Sequence, residues 1–317
     1  MAGMGQNRLQ SGSITSRATA MRTSPPQNLQ SIVCQLVRAA HPAGYSVRLD
    51  LLKRLLAVPT CSRQEGRMVE FLVQHVRQRG PDRCGEITTD KWNNVFIRKG
   101  GPGVVPCVAA HTDSVHPLRP VEIVQHDGIL FGIDELEQRT GIGADDKAGV
   151  YICLELLERF DDIAIALFAA EEIGCVGANH APAAWFKDVG YVIEFDCPGY
   201  GLVSYTSSGT RLFANDGEFI QIAAPVLQAH GLTRWQHHPF TDVMVLRERF
   251  GFSCLNLSCG YRNWHRADEY VVLHEVEAAL TSGEDLLRAL GCRRYTFDAD
   301  GGDTALPLVE VTGLQFA

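Results

Sequence analysis

The sequence predicts an α/β fold with a mixed, largely parallel central sheet and helices on both faces. Short, nearly continuous apolar runs alternate with helical patterns, and they cover residues 104–110, 163–170, 191–195 and 253–257. Runs this apolar are typical of strands buried on both faces. The runs also end at or shortly before carboxylate or imidazole side chains, and ligands of open α/β sheets bind beyond the carboxyl ends of the strands.

Composition and charge exclude several classes of protein. The 317 residues are 45% hydrophobic and 21% charged, as in a soluble globular protein with a large core. The net charge of −8 gives no basic footprint for nucleic acid. No apolar run approaches the roughly 18 residues that a membrane span needs. We therefore expect neither nucleic acid nor a membrane as partner.

The ten cysteines are scattered singly along the chain, without a Cys-x-x-Cys pair. Cys107, Cys153 and Cys254 lie within apolar runs, where a thiol behaves as a small core side chain. Free thiols in a chain rich in core formers are typical of a reducing compartment, so we expect a cytoplasmic protein.

Residues 1–30 differ from the rest, because they are polar, contain Pro25-Pro26 and lack apolar periodicity. We predict a disordered N-terminal extension there. The alternative is an organelle-targeting segment, since no acidic residue precedes Asp50. Residues 31–317 are predicted to form a single domain.

The order of elements follows from periodicity and from turn residues. Helices are predicted near residues 46–58 and 65–79, and a hairpin of two strands is predicted at 86–89 and 94–98. Further helices are expected at 147–160, 179–187, 216–230, 242–250 and 273–290. The acidic segment 298–303 is predicted to be a turn before a C-terminal strand or tail.

Two adjacent carboxylates, Asp145 and Asp146, lie between small residues just before a helical apolar pattern. A carboxylate in such a strand-to-helix turn can offer its two oxygens to two cations. Capping the helix is the ordinary role for an Asp at this position. We assign the cap to Asp146 and the bridging role to Asp145. Lys147 is predicted to be a solvated or structural charge.

Two more acidic positions follow apolar strands. His111 could be a metal ligand whose second ring nitrogen forms a hydrogen bond with the Asp113 carboxylate. The alternative is a capped strand end with a solvated histidine. Glu171 and Glu172 are costly to bury unless they are neutralised, so one could bind a metal while the other accepts a proton. The alternative for this pair is an exposed strand end.

Asp196 ends another apolar run, and His265 lies in a polar loop before a helix. The alternative for each of them, taken alone, is an ordinary solvated loop residue. Carboxylates and imidazoles at the ends of several strands of one sheet are, together, the inventory of a two-metal hydrolytic site.

The motifs AAHTDS, GADDKAG, FAAEEIG, IEFD and NWHRADE resemble, in this order, those of the di-zinc exopeptidase superfamily, which includes peptidase T and the co-catalytic zinc aminopeptidases. They span residues 109–269, about half of the chain. The resemblance implies that Asp145 bridges two zinc ions, because it is the Asp four residues before Gly149. It further implies that Glu171 is the general base and that Asp113 orients His111. The ligand pairs that it implies are Asp196 with His111 and Glu172 with His265.

The chain differs from members of this superfamily in the length of the segments between its candidate ligands. Peptidase T and its carboxypeptidase relatives carry an extra domain between the fourth and fifth ligands, and a related branch carries one between the first ligand and the bridging ligand. The compact aminopeptidases, by contrast, have the layout closer to that of this chain. Here residues 197–264 contain patterns that the core needs, and residues 112–144 have room only for a hairpin around Val121–Ile133. We therefore predict one lidless catalytic domain. The Gly-Thr-Asp segment of the family is replaced by Phe240-Thr241-Asp242.

These features together predict a zinc-dependent exopeptidase, most simply an aminopeptidase acting on short peptides. Cobalt or manganese would also suit the oxygen and imidazole ligands. One alternative is an N-acyl amino acid deacylase or carboxypeptidase, for which Arg262 and Arg266 could bind a carboxylate. Another is a metal-free, inactive binding protein. The oligomeric state stays open. The candidates to line the substrate pocket are Trp235, His237, His238, Tyr261 and Trp264.

Overall fold

A computed structural model describes residues 47–297 of the chain. The helices are α1 (Leu49–Leu56), α2 (Gly66–Arg79), α3 (Pro81–Cys84), α4 (Ala144–Arg159), α5 (Val176–Asn179), α6 (Ala183–Phe186), α7 (Glu218–Ala229), α8 (Asp242–Phe250) and α9 (Leu273–Leu290). The strands are β1 (Glu86–Thr89), β2 (Val95–Lys99), β3 (Val105–His111), β4 (Glu122–His126), β5 (Ile129–Ile133), β6 (Arg139–Thr140), β7 (Ile163–Phe168), β8 (Val189–Cys197), β9 (Leu202–Ser207), β10 (Thr210–Arg211), β11 (Arg234–His238), β12 (Cys254–Ser258), β13 (Tyr261–Arg262) and β14 (Tyr270–Val272).

The main sheet has the strand order β1-β2-β7-β3-β8-β12-β9-β10, and β11 also pairs with β9. Its centre, β7-β3-β8-β12, is parallel throughout. The flanking pairs β1–β2, β2–β7, β12–β9 and β9–β10 are antiparallel, whereas β11 runs parallel to β9. The predicted fold class, a mixed and largely parallel sheet, is confirmed. The four parallel strands are the buried apolar runs of the sequence.

Helices cover both faces of this sheet, as the strand β8 demonstrates. Glu194 and Phe195 are successive residues, so their side chains point to opposite faces. Glu194 accepts a hydrogen bond from the backbone N–H of Val243 in α8. On the other face the Phe195 ring packs so tightly on α9 that a Cβ on Gly283 would lie 2.6 Å from it. Both residues are fully buried, which explains why residues 191–195 form an apolar run that contains one acid.

A second, smaller sheet is antiparallel and has the order β13-β14-β5-β4, with β6 paired to β5. The hairpin predicted around residues 121–133 forms β4 and β5 of this sheet. Its pairing with β14 was not predicted, because β14 lies far away in the sequence. This pairing matters for the site, since it joins the segment before α4 to the loop that carries His265.

Most of the predicted elements are confirmed within a few residues of their ends. The helix predicted at 179–187 is wrong, because the chain forms the two short helices α5 and α6 there. Strands β9, β10 and β11, within 197–264, were not predicted. The extension 1–30 and the acidic turn 298–303 lie outside the described residues, so the single domain over 31–317 stays a prediction. Over residues 47–297, no helix combines the length and apolar character that a membrane span requires.

Candidate active site

The predicted site residues converge at the carboxyl ends of the parallel strands. β3 ends at His111, β8 carries Asp196 near its end, and the turn after β7 carries Glu171 and Glu172. Within residues 47–297, two groups of side chains have ligand atoms within 4.8 Å of one another. One consists of His111, Asp145 and Asp196, and the other of Asp145, Glu172 and His265.

Asp145 belongs to both groups, and each of its oxygens faces one of them. Its Oδ1 lies 3.0 Å from His111 Nε2, and its Oδ2 lies 3.4 Å from His265 Nε2. His111 Nε2 also lies 3.6 Å from Asp196 Oδ1, whereas His265 Nε2 lies 3.0 Å from Glu172 Oε2. A single carboxylate therefore stands between two separate sets of nitrogen and oxygen donors.

The electrostatics of these donors favour cations. Burial would lower the pKa of His111, but contacts with Asp113, Asp145 and Asp196 raise it well above its ordinary value. Burial raises the pKa of Asp196 well above its ordinary value, and the charge of Asp145 adds to this effect. Buried carboxylates that repel one another in this way are stabilised by bound cations. Carboxylate oxygens and imidazole nitrogens are ligands that Zn²⁺ accepts.

Asp113 is fully buried and contacts more than the predicted histidine. Its Oδ1 lies 3.3 Å from His111 Nδ1 and accepts the backbone N–H of Glu171 at 3.0 Å. Its Oδ2 accepts the hydroxyl of Ser62 at 2.7 Å and the backbone N–H of Glu172 at 3.4 Å. Asp113 thus holds the turn that carries both glutamates, a role that the sequence analysis did not include.

Glu171 is buried in the same cavity and belongs to neither group of candidate ligands. Burial raises its pKa well above the ordinary value, and the charges of Asp196 and Asp242 raise it further against the opposing effect of His111. The thiol of Cys175 lies 3.6 Å from Glu171 Oε1. A carboxyl group whose proton affinity is raised next to a set of ligands can take up and release a proton.

Asp146 turns away from the two ligand groups, as its assignment to a capping role requires. Its Oδ1 accepts the N–H of Gly149 at 3.0 Å, and its Oδ2 accepts the N–H of His111 at 3.3 Å. Only glycine fits at position 149, because a Cβ there would lie 2.2 Å from the Phe195 carbonyl oxygen. Lys147 is not solvated, so that alternative is wrong. It is buried and donates to the carbonyl oxygen of Ile142 at 2.7 Å.

A cavity of about 190 Å³ opens over these residues. Of the five candidates for its wall, His238, Tyr261 and Trp264 line it, but Trp235 and His237 do not. The remaining wall residues, which sequence reasoning missed, are Pro198, Pro239 and Phe240. Phe240 begins the segment Phe240-Thr241-Asp242, where the resemblance noted in the sequence implies Gly-Thr-Asp. Its neighbour Thr241 instead donates to the buried Glu194.

Neither of the arginines considered for carboxylate binding lines this cavity. Arg262 forms a two-pronged ion pair with Glu275. Arg266 is exposed, and its Nε lies 3.1 Å from Asp268 Oδ1. Among the described residues, the cavity wall therefore contains acids, imidazoles and apolar groups without a Lys or Arg.

Solved structures with the same fold include several peptidases. A tripeptidase from Staphylococcus aureus matches with a TM-score of 0.64 at 13% identity, over 76% of this chain and 97% of that one. The aminopeptidase PepT from Bacillus cereus matches with a TM-score of 0.63 at 14% identity, over 76% and 97% of the two chains. The TET1 peptidase of Pyrococcus horikoshii matches with a TM-score of 0.56 at 15% identity, over 75% and 98%. At such identities the likeness concerns the fold.

The family follows from a comparison with family models. The model of peptidase family M28 matches residues 95–271, which is more than half of the chain. The matched range begins at β2, includes every residue of the two ligand groups and ends in β14. The chain thus belongs to peptidase family M28 and is a metallopeptidase.

Proposed function

We propose that this metallopeptidase is a two-zinc aminopeptidase that acts on short peptides. His111 and Asp196 would hold one zinc ion, Glu172 and His265 would hold the other, and Asp145 would bridge them. The observation that carries the proposal is the placement of Asp145, whose two oxygens lie 3.0 Å and 3.4 Å from imidazole nitrogens of two different groups.

Bound at these residues, two zinc ions would polarise the scissile carbonyl and lower the pKa of water. Glu171 would take the proton from the attacking water and deliver it to the leaving nitrogen. Its position in the cavity and its raised pKa support this role. Asp113 would keep Glu171 in place through the hydrogen bond that it accepts from the Glu171 N–H.

The preference for a free N-terminus is supported by the charges of the cavity. A free amine could coordinate one of the zinc ions or pair with one of the acids that line the cavity, which are Asp145, Glu171, Glu172 and Asp196. The two arginines that could bind a substrate carboxylate are instead paired with Glu275 and Asp268. A reducing, cytoplasmic location is part of the proposal, because the cysteines among residues 47–297 are all free thiols.

The test combines metal analysis with a substrate panel. We expect two zinc equivalents per chain and cleavage of aminoacyl amides with a free amine, but not of the same compounds after acetylation. Glu171→Gln should retain zinc and lower kcat by about 10²- to 10⁴-fold, because it removes the proton acceptor. Near-normal activity of that variant would refute the base assignment. Cleavage of the acetylated compounds alone would favour a deacylase.

A further inference from the structure

Glu269 is a fully buried carboxylate that belongs to neither group of candidate ligands. It lies four residues after His265, just before β14. Its Oε2 accepts the backbone N–H groups of Ile142 at 2.8 Å and Gly143 at 2.7 Å. Its Oε1 accepts the N–H of Asp145 at 3.2 Å. A carboxylate of the His265 loop is thus bound to the turn that carries the proposed bridging residue.

This turn depends on such an acceptor, because it is not regular helix. Gly143 has a φ of +60°, in the left-handed region, and Asp145 has φ −79° and ψ 98°. The first N–H groups of a helix have no acceptor within the helix itself. Hydrogen bonds to an ionised carboxylate are shorter and stronger than those to a neutral acceptor. Glu269 therefore restricts the backbone from which the Asp145 side chain projects.

Two cationic or protonatable groups complete the environment of Glu269. His116 Nε2 lies 3.0 Å from Glu269 Oε2. The ammonium group of Lys147 donates to the Ile142 carbonyl oxygen at 2.7 Å, and burial lowers its pKa to about 8 against the attraction of Glu269. The peptide group between Ile142 and Gly143 is therefore held at both ends, its oxygen by Lys147 and its N–H by Glu269.

We propose that Glu269 is a positioning residue of the metal centre. It fixes the turn that carries Asp145 against the loop that carries His265, so that both side chains meet the same cation. This proposal rests on the proposed function, because it concerns ligands of the two-zinc site. A residue that only stabilised the fold would stabilise the metal-free and the zinc-bound protein equally, and its replacement would leave the zinc affinity unchanged. A positioning residue affects the zinc affinity itself, which can be measured.

The experiment uses Glu269→Gln in the full chain. Glutamine has the same shape but keeps only one acceptor oxygen, and its NH₂ group would meet an N–H donor of the turn. Zinc affinity is measured by competition with a chelator, and thermal unfolding is followed with and without zinc. We expect zinc affinity to fall by about 10- to 100-fold, the range found when groups that orient metal ligands are removed. The rise in Tm at a fixed zinc concentration should shrink accordingly.

The matched control is Glu155→Gln, another buried carboxylate of the same region. Glu155 lies in the C-terminal half of α4, ten residues after Asp145. It forms ion pairs with Arg48 and Arg159 and does not line the cavity. This variant should lower the Tm of the metal-free protein and leave the zinc affinity unchanged.

Zinc affinity within twofold of wild type in Glu269→Gln would overturn the positioning role, even if the metal-free variant were less stable. If Glu269→Gln does not fold, Glu269→Asp replaces it. That side chain keeps the charge but is one methylene shorter, so we again expect weaker zinc binding, and unchanged affinity would overturn the proposal. A wild-type protein without zinc affinity would instead refute the proposed function itself.

Discussion

Asn at position 113 would separate two roles that Asp113 combines, the orientation of His111 and the support of the glutamate turn. An Asn keeps only one acceptor oxygen. If its NH₂ group stood in place of Oδ1, it would face the N–H of Glu171, which is a donor. If it stood in place of Oδ2, the Ser62 hydroxyl could rotate to accept from it, and only the 3.4 Å contact with Glu172 would be lost. We expect this second orientation, with the turn at Glu171 intact.

The magnitude follows from the change in charge. A hydrogen bond to an ionised group contributes about 1.5–3 kcal/mol and a neutral one about 0.5–1.5 kcal/mol. Neutralising Asp113 therefore costs about 1–2 kcal/mol, which corresponds to roughly 5- to 30-fold in a rate or binding constant. We expect Asp113→Asn to lower kcat/KM by this factor. The effect should be smaller than that of Glu171→Gln, which removes the proposed base itself.

The assay is a double-mutant cycle with Ser62→Ala, measured as kcat/KM on the best aminoacyl substrate at saturating zinc. Ser62→Ala alone removes one hydrogen bond to a carboxylate that keeps its other donors. Combined with Asp113→Asn, it also removes the acceptor for the new NH₂ group, so the double variant should lose more than the product of the single losses. Additive effects would refute the orientation argument. Activity of Asp113→Asn within threefold of wild type would refute the proposed support of the site.

Three further predictions concern other positions. Cys175→Ala should lower kcat by roughly 2- to 10-fold, because the contact between the Cys175 thiol and Glu171 is lost. Cys175→Ser should retain most of the activity. Equal kcat values for the two variants would contradict this prediction. Phe240→Ala should raise KM about fivefold for substrates with an apolar N-terminal residue and leave kcat unchanged, since it removes an apolar side chain from the cavity wall. A change in kcat alone would contradict that role. Burial, with the charges of Arg79 and Arg48, lowers the pKa of His75 to about 4, so the unfolded chain binds the proton first as pH falls. Through this residue, the free energy of unfolding should drop by roughly 2 kcal/mol between pH 6.5 and 4, after allowance for solvent screening. Urea titrations should show a smaller pH-dependent drop for His75→Phe than for the wild type, by this amount.

Much of the fold was accessible to sequence analysis because its signals are local. The strands β3, β7, β8 and β12 are apolar runs, and helices such as α2, α8 and α9 show their periodicity within one segment. The small antiparallel sheet was missed except for its hairpin. Its strands β6, β13 and β14 are two or three residues long, so no periodicity can develop in them.

The same distinction applies to the site. His111, Asp145 and the paired glutamates stand at strand ends or in a turn before a helix, where their chemical type is visible in the sequence. Ser62 and Glu269 could not be assigned, because their partners lie 51 and 124 to 127 residues away. Glu269 is part of the motif NWHRADE, but nothing in that string indicates which backbone groups it contacts. Spacing can indicate candidate ligands, but the groups that orient them depend on tertiary contacts.

Asp145 and Asp146 show why chemical type alone does not determine a role. Both are buried, which by itself raises the pKa of a carboxyl group. Asp145 faces His111 and His265, and these contacts lower its pKa below its ordinary value in spite of burial. For Asp146, burial and then the charge of Asp196 raise the pKa well above its ordinary value. The pKa values of two neighbouring acids in one turn are thus shifted in opposite directions, and the pKa is lowered for the acid that lies between the two groups of candidate ligands. Because both residues are aspartates, the difference between their roles comes from the groups that surround each side chain and not from its chemical type.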